Sequence, residues 1–268
     1  MHPFSYSQPR SVADACAALR ADSESKLIAG GQTLLPSMRL RLIRPSQLVD
    51  LSLLEELRGL ELDSGSVTIG AMMRHAEVAS DLQVRRHIPA LAELASMIGD
   101  RMVRNMGTLG GSVSNNDPAA DYPAALQALD AQIITSVRTI RAADFFKGLF
   151  ETALAADEIV VRIRFPVPRR AAYVKFRHPA SRFALVGVFV ADTEMGPRVA
   201  VTGAGACVFR VPEMEEALST DFSPEAIEGI GIAADNLNSD LHASADYRAH
   251  LISVIARRAI QRARMAGG

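Results

Sequence analysis

The sequence of 268 residues contains no tryptophan, only two cysteines and 5% aromatic residues. Cys16 and Cys207 stand too far apart in the chain to suggest a disulfide framework, a zinc site or an iron–sulfur site. The 29 Lys and Arg residues are balanced by 30 Asp and Glu residues, which gives a formal net charge of −1. A nucleic-acid scaffold is usually strongly basic, so this balance argues against one.

The sequence also has no apolar run of the length needed to span a membrane, and its first six residues do not form a basic and then apolar leader. Together with unpaired cysteines, this predicts a cytoplasmic protein, with peripheral association at a membrane left open. Hydrophobic residues make up 49% of the chain, a normal value for a globular protein. A chain of 268 residues is long enough to form one large domain or two or three smaller ones.

The periodicity of apolar residues predicts a mixture of helices and strands. Leu91, Leu94, Ala95 and Ile98 follow helical spacing, and residues 34–42 fit either a helical turn or an irregular segment. The predicted helices cover residues 11–20, 89–98, 123–129, 224–237 and 247–264. The predicted strands cover residues 27–29, 47–51, 67–69, 131–135, 159–165, 173–176, 185–191, 199–202 and 206–209. A proline-containing linker at 166–170 completes a division into three α+β pieces, about 1–60, 61–168 and 169–268.

Two glycine pairs, Gly30-Gly31 and Gly110-Gly111, are the most informative motifs. They are either two ordinary tight turns or two loops that let backbone approach one extended ligand. The first pair lacks the Lys-Ser/Thr of a P-loop, and neither segment has Rossmann spacing. The residues after the second pair, 112–118, do not have a helical pattern. A phosphate would therefore be bound by backbone N–H groups, aided by the hydroxyls of Thr33 and Thr108.

Several further motifs, taken in order with the glycine pairs, identify a family resemblance. The chain resembles the FAD-binding medium subunit of molybdenum hydroxylases, as in bacterial carbon monoxide dehydrogenase, and the flavin domain of xanthine dehydrogenase. Each motif is weak alone, but in this order and spacing they are strong together, and the resemblance covers essentially the whole chain. They lie at residues 29–36 (AGGQTLLP), 69–75 (IGAMMRH), 98–100 (IGD), 104–112 (RNMGTLGGS), 117–121 (DPAAD), 181–184 (SRFA) and 240–248 (DLHASADYR).

The resemblance implies an α+β fold of the PCMH or vanillyl-alcohol-oxidase type, in which two subdomains bind FAD between them. The FAD-binding domain would cover residues 1–168, with subdomains at about 1–60 and 61–168. A C-terminal α+β domain with an antiparallel sheet would cover residues 169–268.

The resemblance also implies a set of cofactor-binding residues. Asp121 would accept hydrogen bonds from ribose hydroxyls, and Lys175 would lie close to the flavin ring. Phe183 stands where the carbon monoxide dehydrogenase type often carries a tyrosine over the ring, so any role for that hydroxyl is in doubt. The full set is Leu27, Ile28, Ala29, Gly30, Gly31, Gln32, Thr33, Leu34, Ile98, Val103, Thr108, Gly110, Gly111, Ser114, Asn115, Asp117, Asp121, Val160, Lys175 and Phe183.

The implied activity is that of one subunit of a larger oxidoreductase. The partners would be a large subunit with a molybdenum cofactor and a small subunit with [2Fe–2S] clusters, assembled as a dimer of heterotrimers. Electrons would pass from the clusters to FAD in this chain and on to an external acceptor. The chain itself would supply no catalytic acid or base and no metal ligand.

Two other functions stay open at this point. One is a self-sufficient flavin-dependent oxidoreductase of the same FAD fold, and the other is a binding module with degenerate loops, against which the intact glycines argue. His75 is interpreted as a structural residue. A basic cluster formed by Arg39, Arg41 and Arg44 is either a solvated face or a docking site for the iron–sulfur subunit.

Overall fold

The computed structural model of the protein describes residues 1–266. The strands are β1 (Ser5–Ser7), β2 (Lys26–Ile28), β3 (Gln47–Asp50), β4 (Leu60–Asp63), β5 (Ser66–Gly70), β6 (Gln132–Thr135), β7 (Thr139–Arg141), β8 (Phe146–Gly148), β9 (Glu151–Thr152), β10 (Val160–Pro166), β11 (Arg170–Arg177), β12 (Ala184–Thr193), β13 (Gly196–Thr202) and β14 (Phe209–Arg210). The helices are α1 (Val12–Ala21), α2 (Leu34–Arg39), α3 (His75–Ser80), α4 (Leu82–His87), α5 (Pro89–Ser96), α6 (Arg101–Met106), α7 (Leu109–Asn115), α8 (Tyr122–Ala128), α9 (Ala142–Phe145), α10 (Pro212–Thr220) and α11 (Ala245–Ala266), with a 3₁₀ turn at Glu55–Leu57.

The strands form three main sheets and one small hairpin. The first sheet is parallel, in the order β1-β3-β2, and the second is antiparallel, in the order β4-β5-β10-β6-β7. The third sheet is antiparallel, in the order β11-β12-β13-β14, and β8 pairs with β9. This architecture confirms the predicted α+β class and the antiparallel sheet in the C-terminal part.

The first sheet packs against α1, whose start the sequence predicts correctly. The Ser11 hydroxyl accepts a hydrogen bond from the backbone N–H of Asp14 at 3.0 Å, which satisfies one free donor of the first turn. Cys16 is buried, with Leu54 and Leu57, in the apolar cluster beneath this helix. Cys207, by contrast, is only partly buried.

The largest apolar cluster lies around α5 and the second sheet. Pro89 occupies the first turn of α5, where its missing N–H costs nothing, and Leu91 and Leu94 are fully buried. The cluster continues into the third sheet through Tyr173 and Phe189, so the middle and C-terminal parts of the chain share a core.

The third sheet has its own cluster, which α11 covers. Leu251, Ile255 and Ala259 lie on the buried face of α11, as their helical spacing predicts. The helix therefore shields one face of the C-terminal sheet along its length.

Three predictions of local structure are wrong. The strand predicted at 206–209 begins only at Phe209, as β14, because a bend occupies the residues before it. Residues 224–237 form turns instead of a helix, because Gly229 has a φ of +83° and redirects the chain. The segment after the second glycine pair is helical, as α7, although its glycines and serines are poor helix formers. Thr108 caps its start and Asn116, with a φ of 44°, ends it, so capping and packing overcome low propensity.

Two kinds of feature are absent from residues 1–266. No helix there is long and apolar enough to cross a lipid bilayer. Nor does that part of the chain bring together three or more His, Cys, Asp or Glu side chains that could hold a metal ion.

Leu94→Ala should lower the free energy of unfolding by about 2–5 kcal/mol, because it removes a fully buried side chain and leaves a cavity. The matched control is Leu82→Ala, since Leu82 is 76% exposed and its truncation should cost much less. Urea unfolding of both variants measures the difference. Equal losses would contradict the placement of α5 in the core.

Candidate functional site

The two glycine loops lie directly against each other. The first loop follows β2, and the second lies between α6 and α7. A Cβ added to Gly30 would lie 2.2 Å from the Met106 carbonyl oxygen and 2.7 Å from the Gly107 Cα, far inside van der Waals contact. Only glycine allows this backbone-to-backbone packing, so the structure joins the two motifs into one site.

The first loop has a run of backbone N–H groups available for a ligand. Residues 30–33 donate no backbone hydrogen bond to any other group within residues 1–266. Gly31 has a φ of +67°, and the side chains of Gln32 and Thr33 are exposed. Successive unpaired N–H groups in such a turn form a concave site for an anion.

The second loop uses its N–H groups within the protein. The N–H of Leu109 donates to the Met73 carbonyl at 2.9 Å, and the N–H of Gly110 donates to the Ala71 carbonyl at 2.8 Å. The Thr108 hydroxyl accepts from the Gly111 N–H at 3.2 Å and can still donate its own proton. The first loop is therefore the better source of backbone donors, while the second contributes Thr108 and a close surface.

A buried polar cluster lies beside these loops, at the start of α8. The Lys175 ammonium is 2.9 Å from Asp121 Oδ1, 3.1 Å from Asp121 Oδ2 and 2.9 Å from the Met97 carbonyl oxygen. Both charged side chains are almost fully buried. Burial raises the pKa of the Asp121 carboxyl, and the nearby Lys175 ammonium opposes that rise.

Tyr173 is a member of this cluster that the sequence analysis did not identify. Its fully buried hydroxyl donates to Asp121 Oδ1. The alternation of residues along β11 could have indicated it, because Tyr173 and Lys175 are two positions apart and share one face of the strand.

The backbone just before Asp121 is fastened to the third sheet. The Thr202 hydroxyl donates to the Ala120 carbonyl at 2.6 Å and approaches the Pro118 carbonyl at 3.0 Å. The Gly203 N–H also donates to the Pro118 carbonyl, at 2.8 Å. These contacts hold the loop between α7 and α8 in place, so the C-terminal sheet takes part in shaping the site.

Phe183 lies on a loop at 178–184 and is 49% exposed. The loop closes through a hydrogen bond from the His178 N–H to the Phe183 carbonyl at 2.8 Å. Phe183 and Asp117 line the same open cleft of about 220 Å³. The structure thus brings the predicted ring-stacking residue to the same side of the molecule as the segment leading to Asp121.

The other predicted residues occupy varied positions. The Ile98 carbonyl accepts from the Arg104 guanidinium at 2.9 Å, and the side chain of Val103 lies against Gly99. Ser114 and Asn115 form the last turn of α7. Val160 is 4% exposed and belongs to the core of the second sheet.

His75 packs against the second loop at Gly107. Its backbone N–H donates to the Gly107 carbonyl at 2.9 Å, and a Cβ on Gly107 would lie 2.7 Å from its Nε2. The ring is 5.4 Å from that of Tyr122, and its Nδ1 has no hydrogen-bond partner within residues 1–266. Burial lowers the pKa of His75 to about 4, and the Arg104 charge adds to the effect. A neutral buried ring fits the interpretation of His75 as structural.

Comparisons with known proteins show which family the chain and its fold resemble. Residues 2–168 match the family model described as the FAD binding domain in molybdopterin dehydrogenase. The chain is 39% identical to the nicotine 6-hydroxylase medium subunit of Paenarthrobacter nicotinovorans, with 95% of each chain covered. It superposes on a chain of carbon monoxide dehydrogenase from Hydrogenophaga pseudoflava with a TM-score of 0.91, 34% identity and 99% of each chain covered. For quinoline 2-oxidoreductase from Pseudomonas putida 86 the TM-score is 0.90 and the identity 30%, over 99% of this chain and 98% of that one.

Replacing His75 should make the protein less sensitive to acid. Between pH 6.5 and about 4 the unfolded chain binds a proton at His75 that the folded chain does not, so stability falls as the pH falls through that window. From about pH 7.5 to about pH 5 this contributes a loss of about 2 kcal/mol in the free energy of unfolding.

We expect His75→Phe to lose less stability over the same interval, as measured by urea unfolding at the two pH values. The exposed His250, replaced by Gln, serves as the control and should behave as wild type. The same acid-induced loss in His75→Phe as in wild type would show that His75 is not the buried neutral group.

Proposed function

The chain belongs to the family of FAD-binding domains of molybdopterin dehydrogenases, and from this premise we propose that it transfers electrons from [2Fe–2S] clusters of a partner subunit to an external acceptor. It is the FAD-binding medium subunit of a molybdenum hydroxylase-type dehydrogenase. We propose a domain boundary at residue 168, where the family match ends, and a cytoplasmic location.

The observation that carries the proposal is the contact between the two glycine loops. A dinucleotide is long and carries a diphosphate, and the loop at 30–33 offers a run of unpaired N–H groups beside a surface that only glycine allows. A Cβ on Gly30 would displace the second loop. The residues present therefore fit FAD held at its diphosphate by the first loop and flanked by the second.

Three residues are proposed to act on the rest of the cofactor. Bound FAD supplies the capacity to take up and release electrons one or two at a time. Asp121, as an acceptor, would bind hydroxyl groups of FAD, and Lys175 would place positive charge beside the flavin, which favours its anionic reduced form. Phe183 would cover the ring and exclude water from it.

The remaining predicted cofactor contacts stay part of this proposal. They include the strand end that leads into the first loop and the capping threonine and last turn of α7. They also include Ile98 and Val160, two apolar residues that would pack against the adenine of FAD or near it. By number they are Leu27, Ile28, Ala29, Gln32, Leu34, Ile98, Val103, Thr108, Gly110, Gly111, Ser114, Asn115, Asp117 and Val160.

The partners are proposed to be a molybdenum-cofactor large subunit and a [2Fe–2S] small subunit, in a dimer of heterotrimers. A loop after α2 supports docking of a partner, because Leu40 and Leu42 are both 72% exposed and alternate with Arg39, Arg41 and Arg44. Exposed leucines surrounded by positive charge are typical of a surface that binds another protein. We assign this surface, residues 39–44, to the iron–sulfur subunit.

Reduction of the flavin in three reconstituted samples tests the proposal against a self-sufficient flavin oxidoreductase. The chain is loaded with FAD and substrate is added to three samples: the chain alone, the chain with the iron–sulfur subunit, and the chain with both partner subunits. Substrate-dependent reduction that needs both partners supports electron transfer from the clusters. Reduction of the isolated chain by a small substrate would favour the self-sufficient enzyme.

Gly30→Ala should weaken FAD binding about tenfold or more, because the added Cβ forces the two loops apart. Gly231→Ala is the matched control, since a Cβ at the exposed Gly231 meets nothing within 4 Å. Titration of the FAD-free chain with FAD, followed by flavin fluorescence, measures both affinities. Unchanged affinity in Gly30→Ala would refute the placement of the diphosphate.

Arg41→Gln combined with Arg44→Gln should slow flavin reduction by the iron–sulfur subunit about threefold to tenfold at low salt. The difference should shrink at high salt, because salt screens the charges that steer association. The matched control is Arg257→Gln with Arg264→Gln, which removes two charges from α11 instead. If the control pair slows reduction as much as the loop pair, residues 39–44 are not the docking surface.

A further inference from the structure

A glycine inside the third sheet makes room for the Tyr173 hydroxyl. Gly187 lies in the middle of β12, opposite Lys175 of β11. A Cβ on Gly187 would lie 2.3 Å from the Tyr173 hydroxyl oxygen and 3.0 Å from Thr202 Cγ2. Glycine in a strand interior often marks such a close approach, and here it opens the space through which the hydroxyl reaches Asp121.

The hydrogen bonds of Asp121 are distributed unequally between its two oxygens. Oδ1 accepts from both Tyr173 and Lys175, whereas Oδ2 has only the longer contact of 3.1 Å to Lys175 within residues 1–266. A carboxylate can accept about four hydrogen bonds in all. Oδ2 therefore keeps free acceptor capacity. The Tyr173 hydroxyl, by binding Oδ1, holds the carboxylate in the orientation that leaves Oδ2 free.

The Tyr173 hydroxyl stays protonated at ordinary pH and therefore acts as a hydrogen-bond donor. Burial and the adjacent Asp121 carboxylate raise the pKa of Tyr173 well above its usual value. The bond it makes is to a charged acceptor in a buried place, where a hydrogen bond is stronger than one between two neutral groups.

We infer that Tyr173 is a positioning residue for the cofactor site, which fixes the Asp121 carboxylate so that Oδ2 accepts a hydroxyl group of FAD while Oδ1 is held by Tyr173 and Lys175. This inference rests on the proposed contact of Asp121 with FAD. Within residues 1–266 the Tyr173 hydroxyl makes its hydrogen bond to the Asp121 carboxylate alone, so its effect on the cofactor passes through Asp121.

The titratable groups that face Asp121 are Lys175 and Tyr173 on β11 and Tyr122, the next residue in the chain. Donation by Tyr173 favours the ionised carboxyl, so it opposes the rise in pKa that burial causes. Without that hydroxyl, Asp121 takes up a proton at a higher pH and loses its acceptor role there.

The test is FAD titration of the full, FAD-free chain over a range of pH. Tyr173→Phe should weaken FAD binding about tenfold near neutral pH, because a carboxylate that is no longer held by the hydroxyl rotates or takes up a proton and makes a poorer charged hydrogen bond to FAD. The pH below which affinity declines should also move upward. Removal of a packing contact alone would weaken binding without moving that pH.

Tyr6→Phe is the matched control. The Tyr6 hydroxyl also donates to a carboxylate, that of Asp50, but Tyr6 is 55% exposed and lies on β1. Its removal should leave both the affinity and the pH profile unchanged. Asp121→Asn is the reference for a site without the carboxylate, and its affinity should no longer decline with the acid titration of that group.

Gly187→Ala provides a second, independent variant in case Tyr173→Phe folds poorly. Its added methyl group displaces the hydroxyl, so it should move the pH profile in the same direction. In the Tyr173→Phe background, where the hydroxyl is already absent, the same change should cost less affinity. Additive effects of the two changes would count against a shared role.

The outcomes separate this inference from the proposed function. A wild-type chain that takes up no FAD overturns both. Wild-type affinity in Asp121→Asn overturns the contact between Asp121 and FAD, and with it the inference. Normal FAD binding in wild type, together with an unshifted pH profile in both Tyr173→Phe and Gly187→Ala, overturns the role of Tyr173 alone.

Discussion

The backbone at Gly30 lies so close to Met106 and Gly107 that no side chain fits between them. This contact joins the loop after the small parallel sheet to the turn that leads into α7. Because it is made by main-chain atoms, it fixes the distance between the two parts of the chain whatever the nearby side chains do. The unpaired N–H groups at 30–33, which we propose bind the FAD diphosphate, lie on the loop that this packing holds in place.

The C-terminal sheet completes the site through buried polar contacts. Lys175 pairs with Asp121, and Thr202 fastens the backbone just before it. An isolated charge in such a place would be costly, so each of the two ions requires the other. The ion pair therefore links the correct docking of the third sheet to the chemistry proposed for Asp121 and Lys175, and explains why the sheet belongs to the same unit as the two glycine loops.

Periodic and capped segments were predictable, and segments held by distant contacts were not. The helices α1 and α11 follow from apolar spacing, and α1 also from Ser11. The helix expected at 224–237 is absent because its apolar pattern is interrupted by a glycine with positive φ. The helix α7 was missed because its stability comes from Thr108, Asn116 and buried packing. Among the site residues, the family resemblance indicated the two loops and, separately, Asp121 and Lys175, but it indicated neither the ion pair between those two residues nor the contact from Tyr173.

The glycine pairs and the further motifs, taken together in their order and spacing, indicated the family and the cofactor of this protein from sequence alone, because each of those motifs is local in the chain. Tertiary structure alone decided that Gly30 packs against Met106 and Gly107, just before the second glycine pair, and that Tyr173 reaches Asp121 across 52 positions. It also decided that Gly187 opens the space for that hydroxyl. The physical reason is that a hydrogen bond or close contact between distant residues depends on how the sheets and helices pack, which no local pattern records.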